Sequence, residues 1–219
     1  MLHRRSPTAT YAHSIHFSNL CRRHTNHTEK PPPFRFLILL SLDVMDRVSQ
    51  TKDFKFPPID RTAKDRCKFS SSAMGQANAA RDSLYDLREC KMSGLSAGGF
   101  DISGALLANG DFSKVDFKEA QLSKVYAPGA NFDGADFTNG VIDRAYFKGA
   151  SFKGTLFNNA VLSSSSFEEA DLTGADFTEA YVGQYDQRKL CKVTGEFALK
   201  GENPKTGADT RESLGCKPL

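Results

Sequence analysis

Ala130-Asn131-Phe132-Asp133-Gly134-Ala135-Asp136-Phe137-Thr138-Asn139 is two copies of one five-residue pattern: small, Asp or Asn, large apolar, two polar. The pattern extends both ways in one frame. Every fifth residue from Ile102 to Val182 is large and apolar except Ala127, and in most copies a small residue such as Ala105, Ala120, Ala150 or Ala175 stands two positions before it. A helix repeats about every 3.6 residues and a strand every 2. A beat of five is neither, so it predicts a fixed-period repeat, and the repeat decides the architecture.

Five residues suffice for one straight edge and one corner of a square coil. Four edges close the square, so a coil takes twenty residues, and the large positions sort accordingly. Phe117, Phe137, Phe157 and Phe177 form one column; Phe112, Phe132, Phe152 and Leu172 a second; Ile102, Leu122, Ile142, Leu162 and Val182 a third; Leu107, Ala127, Phe147 and Phe167 the fourth. Aromatic falls over aromatic and aliphatic over aliphatic. Coils stacked about 4.8 Å apart would set like side chains in ladders, with ring stacking adding about 0.5–1.5 kcal/mol per pair. The small residue also points inward, and Asp, Asn, Gly and Lys face water or turn corners. At Ala127-Pro128-Gly129 the ladder breaks; either Tyr126 or Phe147 fills the gap, or the rod kinks or binds something there. Upstream the beat fades but keeps phase through Leu87, Met92 and Ala97. The expected coils span residues 85–184.

The segments Ala130–Gly134, Ala135–Asn139, Ala170-Asp171-Leu172-Thr173-Gly174 and Ala175-Asp176-Phe177-Thr178-Glu179 resemble the pentapeptide-repeat family, whose pattern is A-(D/N)-(L/F)-x-x. The resemblance implies an all-β solenoid, a right-handed quadrilateral β-helix, in agreement with the four columns.

After Val182 the beat stops, and residues 185–219 read as a cap. Asn203-Pro204 and Thr206-Gly207 signal turns. Asp209 with Glu212 reads as a capping box opening a short helix, and Gly215 as its stop. Leu190 and Leu214 could close the last coil, whose open edge would otherwise invite aggregation. Cys191 and Cys216 bracket the cap, either as a disulfide worth about 3 kcal/mol or as two buried thiols. Leu190-Cys191, Gly201, Asn203-Pro204, Thr206-Gly207, Asp209-Thr210-Arg211 and Ser213-Leu214-Gly215-Cys216 together are similar to the tail of plant and cyanobacterial lumenal pentapeptide-repeat proteins. That resemblance implies the thylakoid lumen, where an oxidising milieu favours the bridge. Cys90 falls in a small inward slot and reads as a buried thiol; Cys67 could pair with it, which spacing leaves open.

The net charge of +3 conceals a split. Residues 1–66 carry 12 Lys/Arg against 6 Asp/Glu, whereas residues 100–184 carry 6 against 12. Residues 1–42 hold Glu29 as their one acid, which suits an organelle transit peptide. Arg22-Arg23 before Phe36–Leu42 faintly resembles a twin-Arg lumen signal, and that apolar run is too short to span a membrane. Ala77-Asn78-Ala79 would fit a cleavage site. Residues 1–70 are therefore expected as a targeting or disordered leader and residues 71–84 as an N-terminal cap, with a short helix somewhere in Ser71–Leu87 packing on the first coil.

Catalytic signals are weak. All five histidines (His3, His13, His16, His24, His27) precede residue 30, leaving the coils without a His base or His metal ligand. No C-x-x-C pair or phosphate-binding glycine motif occurs. Ser163–Ser166 lack an activating base, and Glu168-Glu169 read as a solvated pair. The expectation is a monomeric, non-catalytic scaffold or interaction module without cofactor, metal, nucleic acid or membrane span, binding an unidentified protein. Two alternatives are a DNA mimic that binds topoisomerases, since the rod is acidic, and a regulator switched by the redox state of Cys191–Cys216.

Overall fold

The computed structural model describes residues 55–72 and 85–217. The chain divides into Met1–Phe56 and Pro57–Leu219, and the second unit is the subject below. The expected leader signals and residues 73–84 of the segment expected to include a short helix lie outside the described residues; Ser71-Ser72 and Tyr85–Leu87 at its two ends are not helical.

Residues 85–182 form square coils. Sixteen parallel bridges, from Asp86↔Leu106 to Val161↔Tyr181, each join residues twenty apart. The backbone is paired coil to coil: Phe117 N–H donates to Asp136 O, Phe137 N–H to Leu156 O and Phe157 N–H to Asp176 O, each at 2.8 Å. One expectation needs correcting. The edges are isolated bridges and not strands among the described residues, because a corner arrives every five residues. Each corner is a four-residue turn, such as Phe132–Ala135, closed by Ala135 N–H on Phe132 O at 3.0 Å. Its third residue is left-handed. Gly134 (φ 66) suits this, but Lys114 (φ 56), Glu119 (φ 58) and Arg144 (φ 55) adopt it too. A left-handed non-glycine costs about 1–2 kcal/mol. Here it directs the corner N–H into the next coil, as Lys114 donates to Asp133 O at 2.8 Å and Glu119 to Thr138 O at 2.9 Å.

From Ala105 to Phe177 the interior holds both inward positions of each repeat, while Leu95 in the first coil is exposed. The rings of Phe117, Phe137, Phe157 and Phe177 stack at 4.9, 5.3 and 5.0 Å, within 13° of parallel. Phe112, Phe132 and Phe152 stack at 5.5 and 5.0 Å. The alanines are buried between the columns. At Ala127 the rod does not kink: Leu107 N–H donates to Tyr126 O at 2.7 Å and Ala127 N–H to Tyr146 O at 2.8 Å, continuing the ladder. Tyr126 does not fill the gap; it lies outside, stacked on Tyr146 at 5.5 Å. Phe147 instead meets Phe132 edge-on at 5.8 Å, and Ala127 stays wholly buried.

The outward Asp or Asn of the pattern is not merely solvated. Asp136, Asp171 and Asp176 each accept from the backbone N–H two residues on and, through the same oxygen, from a Thr hydroxyl. These local turns explain why Asp and Asn recur there. Ser151 occupies that position without a carboxylate, and Asp133 of the coil before supplies it, accepting from Ser151 Oγ and from Lys153 N–H at 2.9 Å. The corner residue Asp133 is thus a structural acceptor.

Beyond the coils lie helix α1 (Gln184–Cys191), a 3-10 turn (Gly195–Phe197) and helix α2 (Thr210–Ser213). Asp209 caps α2, accepting from Arg211 and Glu212 N–H, each at 2.9 Å. Gly215 (φ 74) ends it. Leu190, Leu199 and Leu214 are buried in the core cluster.

Candidate functional site

Both ends of the rod are closed, and each closure includes a disulfide. At the C-terminal end Cys191 and Cys216 are bonded, with Cα atoms 5.5 Å apart, a normal separation for a bridge. The bond ties the end of α1 to the segment after α2. Gln187 Nε2 donates to Leu214 O at 2.7 Å and Arg211 Nη1 to Cys191 O at 3.3 Å, joining the same elements. Between α1 and the last coil lies a cavity of about 220 Å³ floored by Phe167, Leu172, Leu190, Val193, Phe197 and Leu199.

At the other end Cys67 and Cys90 are bonded, Cα atoms 5.3 Å apart. Cys90 is buried in the expected slot but as half of a bridge, which corrects its reading as a thiol. Residues 57–72, of which 57–70 were expected in the leader, pack on the first coil. Phe69 meets Phe117 edge-on at 5.6 Å and continues the ring columns. Tyr85 Oη accepts from Ser70 N–H at 2.7 Å and donates to Lys68 O at 2.8 Å. Arg88, ion-paired with Asp86 at 2.5 Å, donates to Pro57 O at 2.9 Å. The folded unit begins at Pro57 rather than after residue 70. No beat runs through 57–72, so periodicity had no means of finding this plug; Phe69 two residues after a cysteine was the available signal.

The segment 200–206 straps one corner of the rod. Asn203 is 1 % exposed. Its Nδ2 donates to Gly174 O at 2.8 Å and its Oδ1 accepts from Lys205 N–H at 2.9 Å. Thr206 Oγ1 donates to Asp176 Oδ2 at 2.8 Å. Pro204 lies over Gly154, and the Glu202 carbonyl over Gly174, where a Cβ would sit 2.9 Å from that oxygen. Glycine is needed on this corner because a second chain segment crosses it. Burial alone would raise the Asp176 carboxyl. The Thr178, Asn158 and Thr206 hydrogen bonds outweigh burial and hold it below the usual carboxylate range.

The strap and its corner border a shallow groove lined by Lys114, Lys118, Lys153, Lys205, Asp116 and Asp136, with Gly134 and Gly154 in its floor. Lys118 approaches Asp136 at 3.4 Å, Lys153 approaches Asp171 at 3.3 Å, and Lys205 Nζ donates to Gly134 O at 3.0 Å. Lys124 and Arg144 lie on a different corner, one coil apart. Lys148 lies 3.5 Å from Glu169, and the charges of Glu168 and Glu169 raise its pKa above the ordinary lysine value.

Ser165 is a core hydroxyl, donating to Ile142 O and accepting from Ala145 N–H at 3.0 Å. Among the described residues no group of three or more His, Cys, Asp or Glu could hold a metal ion, and no helix is long and apolar enough to cross a membrane.

Residues 101–139 and 142–180 match the family model of Pentapeptide repeats, in eight copies. The coils over these residues are therefore pentapeptide repeats, which fold as right-handed quadrilateral β-helices. No curated protein sequence matches the chain. Among solved structures it is similar to a pentapeptide repeat protein, Rfr23, from the cyanobacterium Cyanothece 51142. Identity is 18%, over 45% of this chain and 84% of that one, with a TM-score of 0.38. It is also similar to a pentapeptide repeat protein from the Arabidopsis thaliana thylakoid lumen (25% identity, 68% of this chain, 97% of that one, TM-score 0.30). A third is HetL from the cyanobacterium Nostoc, involved in heterocyst differentiation regulation (23% identity, 57% of each chain, TM-score 0.31).

Proposed function

We propose that this protein is a non-catalytic interaction module of the chloroplast thylakoid lumen, presenting the sides of a stapled rod to a protein partner. The observation that carries the reading is the closure of both ends by disulfide-bonded plugs. Two bridges suit an oxidising compartment. With its ends covered, the rod offers a partner its lateral faces, where side chains repeat in rows one coil apart. The basic, acid-poor start of the sequence and the similarity of residues 190–216 to lumenal tails support the compartment. The lysine groove disfavours the DNA-mimic reading, because it interrupts the negative surface that a duplex mimic needs.

Fractionation of intact chloroplasts, with cross-linking in the thylakoids, tests this. The protein should be recovered from the lumen, oxidised at all four cysteines of the folded unit and cross-linked to a protein through lateral positions. Recovery from the stroma alone, with reduced thiols, would overturn it. A second reading rests on Cys191 and Cys216 both being half-buried, whereas the other bridge has one half-buried partner, Cys67, and one buried, Cys90: the C-terminal bridge is the more accessible of the two and could act as a switch. A potential below about −300 mV would make it a structural staple instead.

A further inference from the structure

The coils from 100 to 184 carry twice as many acids as bases, yet one groove gathers four lysines against two aspartates. The two aspartates are already engaged. Asp136 Oδ1 accepts from Thr138 and its Oδ2 faces Lys118; Asp116 Oδ1 accepts from Lys118 N–H. The Lys114 ammonium has no ion-pair or hydrogen-bond partner among the described residues, and the Lys205 ammonium reaches only a neutral carbonyl. Two ammonium groups thus lack a carboxylate. In their ion pairs the Lys118 and Lys153 side chains are themselves more than half exposed, and such pairs exchange readily. Gly134 keeps the corner beside Lys114 free of a side chain, which lets a chain lie close, whereas Gly154 is already covered by Pro204 of the strap.

We infer that this groove binds an acidic, extended segment of a partner protein. The inference deepens the interaction reading above and rests on it. Lys114 and Lys118 lie in one coil and Lys153 about two coils further on, about 10 Å along the rod at about 4.8 Å per coil; an extended segment rising about 3.4 Å per residue covers that span in about three residues, so alternating acidic residues reach both ends of it. The chain's own first 54 residues, with eight Lys/Arg against four Asp/Glu, have the wrong sign to occupy it.

The probe is a labelled octapeptide of alternating Glu and Thr, titrated by fluorescence anisotropy against the full chain at low salt. Lys114→Gln/Lys205→Gln should weaken binding about fivefold or more, and Lys124→Gln/Arg144→Gln, on another corner, should leave it unchanged. Lys114→Glu alone, which does not touch the strap, should also weaken it. No binding by the wild type, equal loss in both double variants, or tighter binding of inorganic phosphate than of the peptide would each overturn the proposal. Partners cross-linked in thylakoids without peptide binding would remove the groove and leave the interaction module standing; absence of both would remove the two together.

Discussion

Phe137→Ala tests the interior directly. Phe137 is fully buried, with Phe117 stacked 4.9 Å to one side and Phe157 5.3 Å to the other, and Phe132 edge-on at 5.7 Å. Its removal abolishes two stacked contacts and leaves a void the neighbouring rings cannot close. Their separation is set by backbone bonds on both sides, Phe117 N–H to Asp136 O and Phe137 N–H to Leu156 O. A Phe→Ala change in a core costs about 3–5 kcal/mol, and a void that cannot collapse belongs in the upper half of that range, at about 4–5 kcal/mol. Urea denaturation of the oxidised protein, followed by far-ultraviolet circular dichroism, gives the value. Lys124→Ala, on an exposed corner, should fall within about 0.5 kcal/mol of wild type. A Phe137→Ala cost below about 1 kcal/mol, or equal costs for the two variants, would refute the rigid-ladder reasoning.

Three further outcomes follow. Asp133→Ala should cost about 1 kcal/mol in the same assay, because it leaves Lys153 N–H and Ser151 without their acceptor. Gly174→Ala should destabilise by at least about 1–2 kcal/mol, since the new Cβ meets the Glu202 carbonyl; increased proteolysis confined to residues 200–207 would show that the strap is what yields. Asp176 has a lowered folded-state pKa, so its contribution is present above the unfolded value of about 3.9 and is lost as pH falls through the folded value. The stability gap between wild type and Asp176→Asn should therefore be wide at neutral pH and narrow on acidification toward pH 3; a constant gap would contradict the linkage.

The columns were legible because five-residue spacing places the same two positions of each repeat inside, so Phe117, Phe137 and Phe157 announce their stacking through chemistry alone. The outer surface was less legible. Asp133 looked like a solvated corner, and its role depends on Ser151, eighteen residues away and short of a carboxylate. The reason Gly154 and Gly174 must be glycine lies in a segment some thirty to fifty residues downstream that no local pattern connects to them. The N-terminal plug was illegible for a related cause: Cys67 and Phe69 act through contacts with residues 90 and 117, and their own neighbourhood has no periodicity. Lys114 and Lys205 are ninety-one positions apart in the chain, so the groove exists only once the strap is laid down.

The central claim is that residues twenty apart lie in adjacent coils of one four-sided tube. Through-hydrogen-bond couplings between amide nitrogen and carbonyl carbon, measured by nuclear magnetic resonance on isotope-labelled protein, test it bond by bond. The account predicts couplings from Phe117 N to the Asp136 carbonyl, Phe137 N to the Leu156 carbonyl and Phe157 N to the Asp176 carbonyl. Couplings from these amides to carbonyls at any other constant spacing would contradict it.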